Sequence, residues 1–246
     1  MTALITLSHG SRHALAGKGI ERLAKFVAAQ IGEPALAAHL DFESPSLSEA
    51  AVRLDAAGAT RAVVVPLLFT SAFHARHDVP AALAQARETS GIELLAAESV
   101  GTGTDMVDML SERVNHEAPQ GAHIVLYSVG SSDQAANAAV AELAARVGVA
   151  TGHSAESVVA TGGAGTGPAG VIEVALKHRA IHLLPLFFTR SLLLDKLTER
   201  LQDIASATGT TMTASGPLGT VVADIVAARY HVAVNSSPSH LGGSET

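Results

Sequence analysis

Cysteine is absent from the 246 residues. Its absence excludes disulfides, Fe–S clusters and thiolate metal sites, and it removes any marker of redox compartment. Tryptophan is absent too, and aromatic residues make up only 3% of the chain. What remains is rich in Ala, Val, Leu and Gly, a composition that suits helices packed on a buried sheet and not a disordered segment. There is no basic excess: the formal net charge is −7, which argues against a nucleic-acid partner. There is no run of like charges to form an interaction tail. There is no long apolar run either. Ala3 to Leu7 is too short for a signal-peptide core or a membrane span, so a cytoplasmic protein without a membrane partner is expected.

What the chain does contain is a repeat, with histidines kept in only one copy. Leu4-Ile5-Thr6-Leu7-Ser8-His9-Gly10-Ser11 is answered by Ile124-Val125-Leu126-Tyr127-Ser128-Val129-Gly130-Ser131. Val65-Pro66-Leu67-Leu68-Phe69-Thr70 is answered by Leu184-Pro185-Leu186-Phe187-Phe188-Thr189. Ser8 and Pro66 are 58 positions apart, and Ser128 and Pro185 are 57 apart. His9 aligns with Val129, and His74 aligns with Leu193. Repetition at this scale marks a duplicated supersecondary unit.

Within each copy, short apolar runs alternate with stretches of helical spacing. In the first copy, strands are expected at Ala3–Leu7, Ala35–Leu40, Ala62–Val65 and Glu93–Ala96. Helices are expected over Gly19–Ile31, from Ser46 to about Ala57, over Pro80–Glu88 and over Thr104–Val114. Ser46 with Glu49 three residues later reads as a capping box. Strands alternating with helices predict parallel sheets with right-handed crossovers. The expected fold is therefore α/β, with two similar domains, each a four-stranded parallel sheet flanked by helices. Residues 1–118 form the first domain, 119–234 the second and 235–246 a flexible tail. The Pro- and Gly-containing stretch around Pro119 serves as the linker.

In open parallel sheets, ligands bind outside the carboxyl ends of the strands. Ser8-His9-Gly10 follows the first strand and Thr70 to His74 follows the third, so His9 and His74 can meet at one edge. Imidazole suits Fe, Co, Ni and Zn, and two imidazoles leave coordination positions open. Each could instead be an ordinary loop histidine, since the chain has 12. Their loss from the second copy favours the metal reading. His77 lies one helical turn beyond His74 and could join the metal or face solvent. Asp78 could orient His74 or cap the helix at Val79-Pro80, and the two roles are compatible. Glu43 follows the second strand and could accept protons, hold a hydrated cation or be a solvated loop acid.

Two other patterns carry less. Gly165-Thr166-Gly167-Pro168-Ala169-Gly170 matches the dinucleotide-binding glycine spacing, but Pro168 removes a backbone donor from the cradle. Ser8 beside His9 lacks the nucleophile-elbow pattern of a hydrolase.

The residues Ser8-His9-Gly10-Ser11, Phe42-Glu43-Ser44-Pro45-Ser46-Leu47, and Val65 through His74 to Asp78-Val79-Pro80 together resemble the class II chelatases. They are most similar to the sirohydrochlorin chelatases of siroheme and cobalamin synthesis. The second half resembles a degenerate copy of the same unit. The resemblance implies a lyase that inserts Fe2+ or Co2+ into sirohydrochlorin, with the macrocycle between the halves and no organic cofactor. A non-catalytic tetrapyrrole or metal carrier of the same fold is the alternative. It implies His9 and His74 as metal-binding and catalytic residues, with Glu43 as a proton acceptor or metal-path residue. It also implies a monomer, because half-length relatives pair as homodimers. Histidine-rich tails occur in some relatives, whereas this tail holds only His240. Sirohydrochlorin carries many carboxylates, so an acidic protein needs local cations to bind it. Arg12, Arg76 and Arg190 are the candidates, with Ser8, Gly10, Ser128 and Gly130 supplying hydroxyl and backbone N–H groups.

Overall fold

The computed structural model describes residues 1–70 and 77–236. His74 and Arg76 lie outside the described residues, as do residues 237–246; Asn235 and Ser236, expected in the tail, instead end the last helix. The first half runs β1 (Thr2–Ser8), α1 (Ala16–Ile31), β2 (Ala35–His39), α2 (Leu47–Ala56), β3 (Arg61–Pro66), α3 (Val79–Thr89), β4 (Glu93–Ala96) and α4 (Thr104–Glu117). The second runs β5 (His123–Ser128), α5 (Gln134–Thr151), β6 (Ala155–Val159), α6 (Gly167–Ala175), β7 (Ala180–Pro185), α7 (Leu192–Thr198), α8 (Leu201–Thr208), β8 (Thr211–Ala214) and α9 (Ala223–Ser236).

Each half holds a four-stranded parallel sheet, ordered β2-β1-β3-β4 and β6-β5-β7-β8. The strands are apolar on both faces because both faces are covered, as parallel sheets require; all residues from Ala3 to Leu7 are buried. The direction of winding reverses between β1 and β3, and again between β5 and β7. Loops leaving those paired strands diverge and open a crevice at the carboxyl edge. Local signals act as expected at α2: Ser46 Oγ accepts from the Glu49 amide at 3.2 Å, and Glu49 returns the bond to the Ser46 amide at 2.8 Å. Asp78 is a correction. It occupies the N-cap position of α3 but in a helical conformation, and its carboxylate accepts no cap hydrogen bond. An N-cap acceptor needs extended backbone to reach the next turn.

The core is not simply two separate cores. Outer clusters lie beneath α2 and α3 on one side and beneath α6, α7 and α8 on the other. Between the sheets a single cluster joins both halves: Leu4, Ile20, Leu23 and Val27 pack with Leu110, Val140, Leu143, Val226 and Tyr230. The last helix of the second half crosses over to the first, where α9 packs on α1, β3 and β4. Tyr230 Oη donates to the Thr2 carbonyl at 2.9 Å. Arg229 donates to the Ser99 and Val100 carbonyls and pairs with Asp105 at 2.7 Å. α4 packs in turn on α5 of the second half.

Candidate functional site

The carboxyl edges of the two sheets face one cavity of about 680 Å³. Ser8, His9, Gly10, Arg12 and Glu43 line it from the first half, and Ser128, Gly130 and Arg190 from the second. These expected site residues therefore reach one space, whereas His77 and Asp78 do not line it. Phe69 and Phe188, equivalent positions of the two copies, stack at 4.3 Å between ring centroids, only 2° from parallel. They also line the cavity. That pairing comes from the repeat itself, since each phenylalanine lies three residues past the last residue of its strand, β3 or β7.

On the first-half wall, the His9 imidazole stacks on Phe42 at 5.9 Å, with 5° between the planes. The Arg12 guanidinium carbon lies 4.8 Å from the centroid of the same ring, a cation–π distance. Phe42 is half exposed, and its backbone is left-handed at φ 66°. The Asp41 carboxylate holds that turn by accepting the Phe42 amide at 2.8 Å. Gly10 has φ 92°, and a Cβ there would collide with the Asp41 carbonyl, so only glycine lets the His9 turn close on the Phe42 turn. Phe42 was not among the expected site residues. The only available signal was an aromatic at a strand-end loop in a chain with six phenylalanines.

Glu43 is held by backbone. Its carboxylate accepts the Ser11 amide at 3.0 Å and the Gly17 amide at 2.7 Å, fixing the His9 loop against the start of α1. Its Oε2 also lies 3.8 Å from His39 Nδ1. His39 is buried and hydrogen-bonded to Ser8 Oγ at 2.7 Å. Burial pushes the His39 pKa down, and the charges of Glu43 and Glu21 oppose that only in part. A neutral imidazole thus stands behind Ser8. Sequence reasoning missed His39 because it ends a strand and reads as core.

The second-half wall shows what this network replaces. The strand registers place Ser128 opposite Val159 as Ser8 is placed opposite His39. The positions of Gly17 and Glu43 are taken by Asn137 and Gly163. Asn137 Oδ1 accepts the Ser131 amide at 2.9 Å, and its Nδ2 donates back to the Ser131 carbonyl at 2.8 Å. The side chain that ties the turn has moved from the loop to the helix. The move is sterically coupled, since a Cβ on Gly17 would lie 2.6 Å from Glu43 Oε1. With Val159 in place of histidine, Ser128 Oγ is buried without a hydrogen-bond partner among the described residues.

At the rim, Arg190 grips Asp195 through Nη2 at 2.9 Å and Nε at 3.3 Å. His13 of the first half reaches the same carboxylate at 2.9 Å. Burial opposes ionisation of Asp195, but the Arg190 and His13 hydrogen bonds outweigh it and hold its pKa low. The Gly165–Gly170 run does not line the cavity. It starts α6, and Pro168 sits in the first turn, where an amide has no intrahelical partner to lose.

Two parallel α/β halves of one design, joined by a shared core and closing one cavity at their carboxyl edges, define a chelatase-like protein. The same fold is seen in the solved structure of SirB from Bacillus subtilis with Fe3+, with a TM-score of 0.75 over 96% of each chain at 21% identity. Residues 3–117 match the family model described as CbiX. The sirohydrochlorin ferrochelatase of Priestia megaterium is 32% identical over 154 residues, covering 58% of this chain and 56% of that protein. The sirohydrochlorin cobaltochelatase of Sulfurisphaera tokodaii is 36% identical over 75 residues, covering 30% of this chain and 60% of that one. Through its first half, the chain is similar to the sirohydrochlorin chelatases. The aligned region spans little more than half the length of these relatives. Among the described residues no helix is long and apolar enough to cross a membrane.

Proposed function

We propose that this protein inserts a divalent metal ion, Fe2+ or Co2+, into sirohydrochlorin held in the cavity between the halves. The observation that carries this reading is the one-sided wall. His9, Phe42, Arg12 and Glu43 stand together on the first half, facing Val129 and Leu193 on the second, in a chain whose relatives are named as chelatases of this substrate. Insertion removes two pyrrole protons and strips water from the ion. Neutral imidazoles serve both steps, as bases and as transient ligands, and we assign them to His9 and His74. The Phe69–Phe188 pair and the half-exposed Val129 give the macrocycle an apolar bed. Arg12 is placed to meet a substrate carboxylate, and Arg190 can do so by releasing Asp195. No redox step is required, in keeping with a chain that lacks cysteine. A single chain supplies both walls, so the monomer is the functional unit.

The test is an anaerobic insertion assay with Fe2+ and Co2+ side by side. His9→Ala and His74→Ala should each lower the rate by about 100-fold or more, the usual scale for removing a proton-transfer group. Wild-type rates in both variants would overturn the assignment. Stoichiometric binding of the macrocycle without turnover would mark a carrier instead.

A further inference from the structure

The second half has its own imidazoles, at the opposite edge of its sheet. His123 is the first residue of β5, Glu156 is the second of β6, and His178 lies in the turn before β7. One ligand atom from each lies within 4.8 Å of the others. His123 is 5% exposed, and Ser154 Oγ lies 2.8 Å from its Nδ1. Its Nε2 faces the Glu156 carboxylate at 3.1 Å without an aligned hydrogen bond among the described residues. His178 stacks on His123 at 3.8 Å, with 14° between the rings. Two imidazoles this close repel each other if both are protonated.

The equivalent positions in the first half show that the fold does not need this cluster. Registers equate His123 with Ala3, Glu156 with Leu36 and His178 with Ala59. All three are apolar, and Ala3 and Ala59 are buried. The second half has therefore replaced an apolar corner by two imidazoles and a carboxylate, which is costly unless the groups have a partner.

We infer that His123, Glu156 and His178 form a second divalent-metal site, on the far side of the second sheet from the cavity. Two nitrogens and one carboxylate select borderline ions such as Zn2+, Co2+, Ni2+ and Fe2+ over Ca2+ or Mg2+. A Ser154 hydroxyl on the remote nitrogen of His123 is the usual way such a ligand is oriented. The half-exposed Glu156 side chain gives the ion a way in. A bound ion ties the start of β5, just past the linker from α4, to β6 and to the turn before β7, and so stabilises the second half without touching the cavity.

The experiment is an anaerobic Co2+ titration of the His9→Ala, His74→Ala chain, read by visible absorption and by thermal unfolding. One Co2+ per chain should bind and raise the melting temperature, and an equal concentration of Ca2+ should do neither. Adding Glu156→Gln or His178→Ala should weaken Co2+ binding by about 100-fold, as loss of a ligand does at least as strongly as loss of its support. Circular dichroism identifies folded variants, and either of the two suffices. In the otherwise unaltered chain, both substitutions should leave insertion into sirohydrochlorin intact. Absence of Co2+ binding in the His9→Ala, His74→Ala chain, or unchanged affinity in a folded Glu156→Gln or His178→Ala variant, overturns the site.

Discussion

At the scale of single residues, the two halves offer a built-in exchange experiment. Gly17 with Glu43 in the first half does the turn-tying work of Asn137 with Gly163 in the second. Glu43→Gly alone removes two charge-assisted hydrogen bonds and should cost about 3 kcal/mol. Gly17→Asn alone drives a side chain into Glu43 Oε1 and should also destabilise. Combined, they rebuild the second-half arrangement, and the double variant should be at least about 1 kcal/mol more stable than the sum of the singles. Urea unfolding of the four chains measures this, and strict additivity would show that the two turns are not equivalent. Insertion activity then separates the two roles of Glu43. A stable double variant that inserts metal about 100-fold more slowly marks the carboxylate as chemical, whereas wild-type turnover marks it as a turn support.

At the scale of elements, the crossing of α9 onto the first sheet rests on Arg229 as well as on apolar packing. Its guanidinium satisfies two backbone carbonyls and pairs with Asp105 across the halves. Arg229→Ala should cost about 2 kcal/mol and lower the melting temperature by about 4–8 °C for a chain of this size. A differential scanning measurement with no shift would mean that α9 is held by packing alone. This crossing marks where sequence reading ended. Strand and helix order followed from apolar periodicity and the duplication, and the capping box at Ser46 and Glu49 was visible directly. The cavity was legible for His9, Glu43 and the serine–glycine turns, because the carboxyl-edge rule places them from chain order alone. Which sheet a terminal helix covers is set by long-range packing, which chain order does not reveal. Phe42 and His39 escaped for a related reason: their roles come from a left-handed turn and a buried contact, neither of which leaves a periodic trace.

At the scale of the whole molecule, the shared cluster between the sheets makes the two halves one cooperative unit, and its acid response should show it. His39 in the first half and His182 in the second are both buried. Burial is the main cause of their lowered pKa values; Glu43 opposes it at His39, and Glu117 opposes it at His182. The unfolded chain takes up protons at these imidazoles once the pH falls below about 6.5, while the folded chain resists until lower pH. Stability therefore rises with pH across that window and is lost on acidification through it. The two histidines sit on different sheets, so independent halves would respond as two separable transitions. A core that runs from Leu4 and Val27 through Leu143 to Tyr230 instead requires one transition. Its calorimetric and van't Hoff enthalpies should agree, and its midpoint should fall as a whole between pH 7.5 and pH 5.5. Substituting His182 alone should flatten the acid response of that single transition, because each half's protonation is felt by both. Two transitions moving independently with pH would show that the interface between the sheets is a contact between domains and not a core.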